Sequence, residues 1–138
     1  MKDAIQESII EEFAIFDDWL DNYDYLISLS EELPAIDPAK RTETYLIEGC
    51  QSRVWVSSEY REGKVYYSAD SDAIITKGII ALLIRVMNGR SAEELTNIDL
   101  YFVDAIGLGE NLSPTRSNGL RAMIAQMKLD ALVYTQQK

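Results

Sequence analysis

Only one residue in 138 carries a thiol: Cys50, in the stretch "YLIEGCQSRVWVSS" from Tyr45 to Ser58, and the chain has no histidine to activate it. A free cysteine is often a small buried hydrophobe, so one reading of Cys50 is inert packing. Its setting gives the other: "GCQS" breaks two runs that read as β-strand, and chain reversals lie at surfaces where a thiol can be reached. Arg53, three residues on, could favour the thiolate, which is the nucleophilic form; it could equally be an ordinary solvated strand residue. A thiol hydrolase needs a base to take up and return a proton, usually histidine, and none is present. Sulfur exchange asks less, because a thiolate attacking sulfur needs access and a suitable pKa, and the base can belong to a partner. One cysteine rules out an internal disulfide, and without histidine no zinc set of the Cys/His kind can form.

The elements that must position this thiol follow from periodicity. Ile5, Ile9 and Phe13, then Phe16, Trp19, Leu20, Tyr23, Leu26 and Ile27, recur at helical spacing and predict two helices or one bent helix. "ELPAIDPAKRTET" carries two prolines and no period, so it reads as a surface connection. Tyr45 to Ile47, Val54 to Tyr60 and Val65 to Ala69 are rich in β-branched and aromatic residues and predict short strands, with "REGK" as a hairpin loop. Ser71 or Asp72 is suited to cap a helix through "AIITKGIIALLIRVMNG" that stops at Gly89. Ser91 and Glu94 form a capping box, "LYFVDAIGL" is a short apolar segment, and Pro114 opens a last helix with Leu120, Met123, Ile124, Met127 and Ala131 on one face. Gly119 inside that helix points to close packing. The order is an α+β fold in one domain, residues 1–138, with a small antiparallel sheet and helices packed against it.

A net charge of -10, from 13 basic and 23 acidic side chains, would repel both nucleic acid and an anionic membrane surface. The longest apolar run, Ile79 to Ile84, is far short of the roughly 20 residues a membrane span needs. The first thirty residues do not read as a signal peptide, so the expected location is the cytoplasm.

"IEGCQSRVWV" resembles the signature around the active cysteine of the SufE family, and "ADSDAIITKGIIALLI", "NLSPTRSNGLRAMI" and "WLDNYDYLISLSEELP" resemble its other blocks in the same order. The resemblance covers nearly the whole chain. It implies a fold like that of the IscU-type scaffolds and a role as sulfur acceptor in iron–sulfur cluster assembly. A pyridoxal-phosphate cysteine desulfurase of SufS type would present a persulfide, Cys50 would take its outer sulfur, and a SufB or SufBCD-type scaffold would receive it. The cofactor, PLP, belongs to the partner, so this chain needs none. The resemblance implies that Gly49, Gln51 and Ser52 complete the acceptor loop, that Asp72 lies beside it, and that Arg116 makes a partner or loop contact. For Asp72 a helix cap is the other reading. Trp55 is most simply core. Relatives often carry histidine where this chain has Asn111. A pure adaptor that binds and activates the desulfurase without carrying sulfur, and a thiol enzyme acting alone, are the alternatives.

Overall fold

The computed structural model of the chain describes residues 3–15, 18–33, 46–47, 53–108 and 114–135. In order these form α1 (Ala4–Ala14), α2 (Trp19–Ser30), β1 (Val54–Arg61), β2 (Lys64–Ser71), α3 (Ile74–Met87), α4 (Ala92–Asn97), α5 (Phe102–Ala105) and α6 (Pro114–Thr135). The architecture is the α+β arrangement that the residue pattern predicts.

The hairpin is the frame. β1 and β2 pair antiparallel from Arg61 opposite Lys64 to Val54 opposite Ser71. The two turn residues, Glu62 (φ 53°) and Gly63 (φ 80°), both take the left-handed conformation that suits the twist of a two-residue hairpin. Val54, Val56, Val65, Tyr67 and Ala69 are buried, and the Tyr67 hydroxyl donates to the Met127 carbonyl of α6 at 2.7 Å. Burial, with Asp130 and Tyr134 nearby, pushes the Tyr67 phenol well up from its ordinary value. The outer edge of β2 is covered by the end of α3. Val65 N–H donates to the Arg90 carbonyl and Gly89 N–H to the Val65 carbonyl, both at 2.9 Å, while the Asn88 side chain accepts from Tyr67 N–H at 2.7 Å. Gly89, at φ 79°, makes that reversal possible.

α3 is the central helix, with nine buried residues in fourteen. It approaches α2 so closely that a Cβ on Gly78 would lie 2.1 Å from the Leu26 carbonyl oxygen. That contact fixes the rotation of α2 and corrects the predicted apolar stripe: Asn22, Leu26, Leu29 and Ser30 face inward, and Leu20 is 71% exposed. α1 shows a similar shift. Ile5 is partly exposed and Gln6 takes the inner position, its amide donating to the Asp99 carbonyl at 3.0 Å and accepting from Phe102 N–H at 3.1 Å. Periodicity could not find this, because a buried amide with both partners supplied by a distant segment looks like a surface residue in sequence.

Charged contacts pin the remaining helices. Arg85 of α3 bonds Glu12 of α1, which also accepts from the Tyr25 hydroxyl of α2. Arg90 bridges Asp3, at 2.7 Å, and Glu94. Asp3 and Ser91 cap α1 and α4 as their side chains accept from Gln6 N–H at 3.0 Å and Glu94 N–H at 3.1 Å. The capping box predicted at Ser91 is thus half made, since the Glu94 carboxylate turns to Arg90 instead. On α6, Leu120, Met123, Met127 and Ala131 are buried as predicted, with Ile124 at the margin.

Candidate functional site

Gly49, Cys50, Gln51, Ser52 and Asn111 lie outside the described residues; the residues that hold the two ends of the cysteine segment lie inside them. On the entry side Leu46 bridges Trp55 antiparallel, and Ile47 N–H donates to the Val54 carbonyl at 2.8 Å. The predicted run at Tyr45 to Ile47 therefore pairs with β1 through its described part. On the exit side Arg53 continues the β1–β2 register by one residue and meets Asp72. Arg53 N–H donates to Asp72 Oδ1 at 3.1 Å, and Asp72 N–H donates back to the Arg53 carbonyl at 3.3 Å.

Ser71 completes this clamp. Its side chain is buried, its hydroxyl donates to the Arg53 carbonyl at 2.8 Å, and the same oxygen accepts from Ala73 N–H at 3.2 Å. Both backbone groups of Arg53 are thereby bonded to the turn that leads into α3, and the segment begins and ends at one corner of the sheet. The predicted cap is corrected here. Ala73 occupies the N-cap position of α3 with no side-chain hydrogen bond, because the Asp72 carboxylate is committed to Arg53 instead of to a helix N–H. Sequence reading named Ser71 only as a possible cap; the signal for its other role is its place opposite the residue after the loop. Trp55 is buried, as expected of a core residue. Arg116 falls in the first turn of α6. Among the described residues no cluster of three His, Cys, Asp or Glu side chains is placed to hold a metal ion.

The whole length of the chain can be compared with known proteins. The family model described as "SufE: Fe-S metabolism associated domain" matches residues 7–131. The chain belongs to the SufE family. An uncharacterized SufE-like protein of Rhizobium meliloti is 37% identical over 130 residues, 91% of this chain and 93% of that one. SufE-like protein 1, chloroplastic/mitochondrial, of Arabidopsis thaliana is 39% identical over 111 residues, 80% of this chain but 30% of the plant protein. A hypothetical protein from Thermus thermophilus, solved in solution, shares the fold, with a TM-score of 0.77 over 95% of this chain and 96% of that one, at 22% identity. As a SufE domain the chain is tied to iron–sulfur metabolism, and among its described residues no helix is long and apolar enough to cross a membrane.

Proposed function

We propose that this SufE protein is a cytoplasmic sulfur acceptor working with a cysteine desulfurase of SufS type. The Cys50 thiolate attacks the outer sulfur of the desulfurase persulfide. A new S–S bond forms at Cys50, the old one breaks, and the desulfurase cysteine leaves as thiolate. No electrons are gained or lost overall, and one proton moves with the exchange, so neither a histidine nor a metal is required of this chain. The desulfurase turns over faster because its persulfide is cleared, and the sulfur passes on to a SufB or SufBCD-type scaffold by the same exchange. PLP does its chemistry in the partner.

The observation that carries this reading is that the chain's one thiol falls between Ile47 and Arg53, the two positions bonded to the sheet and to the Ser71–Asp72 turn, within the matched SufE span. A short segment with both ends fixed presents or withdraws one side chain without disturbing the core. Asp72 and Ser71 serve as its restraint, and Arg116 as a docking or loop contact. The test is incubation with a desulfurase and free cysteine, followed by mass spectrometry. One sulfur gained at Cys50, with Cys50→Ser neither gaining sulfur nor stimulating turnover, is the expected result. Stimulation retained by Cys50→Ser would overturn the acceptor reading in favour of a simple adaptor.

A further inference from the structure

A cavity of about 310 Å³ opens between β1 and α6. Leu46 and Val56 form its apolar wall; Ser58, Gln126, Asp130 and Tyr134 form its polar end. Ser58 stands five strand residues beyond Arg53, about 16 Å along β1, so the polar end is remote from the exit root of the cysteine segment. The cavity's volume is at the low end of the roughly 300–1,000 Å³ typical of ligand sites, which suits a single side chain better than a cofactor.

The chemistry of the polar end is one-sided. Asp130 Oδ1 accepts from the Gln126 amide at 2.9 Å, and the Ser58 hydroxyl nearby favours the charged form of this carboxylate. Ser58 in turn shares a 3.1 Å hydrogen bond with the Tyr134 hydroxyl, and the Tyr134 ring is stacked on Tyr60 at 5.2 Å. The Gln126 amide fills one of about four acceptor positions on an ionised carboxylate. No Lys or Arg among the described residues pairs with Asp130. Lys128, two residues earlier on α6, is turned to the Ile98 carbonyl at 2.8 Å. Burial with no compensating cation holds the Asp130 carboxyl above its ordinary value.

Two apolar side chains of α6 stand exposed near Asp130. Val133, one helical turn on from Asp130, and Leu129, four residues before Val133 on the same face, are 52% and 53% exposed. We infer that this cavity is a docking socket for one basic side chain of a protein partner, an arginine or lysine flanked by apolar residues that cover Leu129 and Val133. The partner's cation supplies the missing half of an ion pair with Asp130 in a partly water-excluded setting, where such a pair is stronger than on open surface. The net charge of -10 draws a partner with a basic patch, and the socket fixes where one of its charges must land. The site does not depend on sulfur reaching Cys50, so the two readings can fail separately.

The test is an amide NMR titration of the intact chain with acetyl-Leu-Arg-Leu-amide, with the citrulline peptide as neutral control and ethylguanidinium as the bare cation. Saturable shifts at Ser57, Ser58, Gln126 and Asp130 with the arginine peptide, weaker ones with ethylguanidinium and none with the citrulline peptide are expected. Asp130→Asn, nearly isosteric, should weaken that binding about tenfold or more. Val133→Ser should weaken the peptide but not ethylguanidinium. Equal binding of the citrulline peptide, or shifts spread over the acidic surface, would overturn the socket. Ethylguanidinium binding as tightly as the peptide would reduce it to a small-cation pocket and overturn docking. Because the citrulline comparison uses the unmutated chain, the result stands even if Asp130→Asn fails to fold.

Discussion

Ser71→Ala tests whether the turn before α3 restrains the cysteine segment. In the native chain the Ser71 hydroxyl makes two bonds, to the Arg53 carbonyl at 2.8 Å and from Ala73 N–H at 3.2 Å. The substitution removes both at a buried position but leaves the Arg53 carbonyl its longer bond from Asp72 N–H at 3.3 Å. One lost buried hydroxyl, with Arg53 only partly orphaned, costs about 1–2 kcal/mol, toward the lower end of the range for an unsatisfied group. If exposure of Cys50 requires the root of the segment to open, those bonds are broken in the open state and the whole cost of their loss falls on the closed one. An open state should therefore gain about 5–30-fold in population. The readout is the pseudo-first-order rate of Cys50 alkylation by iodoacetamide without denaturant, set beside the urea midpoint of the same variant. Alkylation should accelerate by that factor, and Asp72→Ala should act in the same direction. A lowered urea midpoint with unchanged alkylation would refute the reasoning: the clamp would then hold β2 to α3 without controlling access to the thiol.

Three further outcomes follow from the packing. Arg85 first, with Tyr25 and Ser8, holds the Glu12 carboxyl down to about 2 from its ordinary 4.5 against the opposing effect of burial. Its contribution is complete above about pH 4.5 and is lost as pH falls toward 2; because the pair is about one-third exposed, it is on the order of 1 kcal/mol, and Glu12→Gln should flatten this part of the acid limb in urea titrations. Gly78→Ala would force the Leu26 carbonyl away from a Cβ 2.1 Å distant, and the loss should reach about 3 kcal/mol despite the better helix propensity; an alanine variant as stable as the native chain would contradict the α2–α3 contact. Glu62→Asn, at φ 53° ahead of Gly63, should raise stability by about 0.5 kcal/mol, and a lowered thermal midpoint would argue against the assigned turn.

The strands and the long helices were legible because each depends on local pattern. β-branched runs on either side of "REGK" left one hairpin, and the apolar density of α3 left one central helix. What escaped was set by contacts distant in sequence. The stripe read as Phe16, Trp19, Leu20, Tyr23, Leu26 and Ile27; Leu26 does face inward, but helix rotation was decided by its meeting Gly78, which leaves Leu20 outside, and the missing side chain that permits this gives no periodic signal. Gln6 and Asp130 carry no periodic signal that would single them out. One is buried because a distant chain segment supplies both its partners, and the other lines a cavity because β1 passes opposite it.

The clamp at the loop root was closer to legible than either of these. A two-residue turn at Glu62–Gly63 fixes Arg61 opposite Lys64, and counting outward from that pair brings Val54 to Ser71 and then Arg53 to Asp72. The position of the turn, nine residues from Arg53, therefore decides which side chain meets the residue that leaves the cysteine segment. A slip of one residue would turn one strand's faces over relative to the other, set Val56 opposite Ser68 or Asp70 in place of Ala69, and oppose Arg53 with Ser71 or Ala73, neither of which has a carboxylate. The bonds from Asn88, Gly89 and Arg90 to the outer edge of β2 oppose such a slip from the other side. Strand register thus links the hairpin turn to restraint of the thiol segment. A glycine inserted after Gly63 should consequently speed Cys50 alkylation at least as much as Ser71→Ala does, although it touches nothing near the loop.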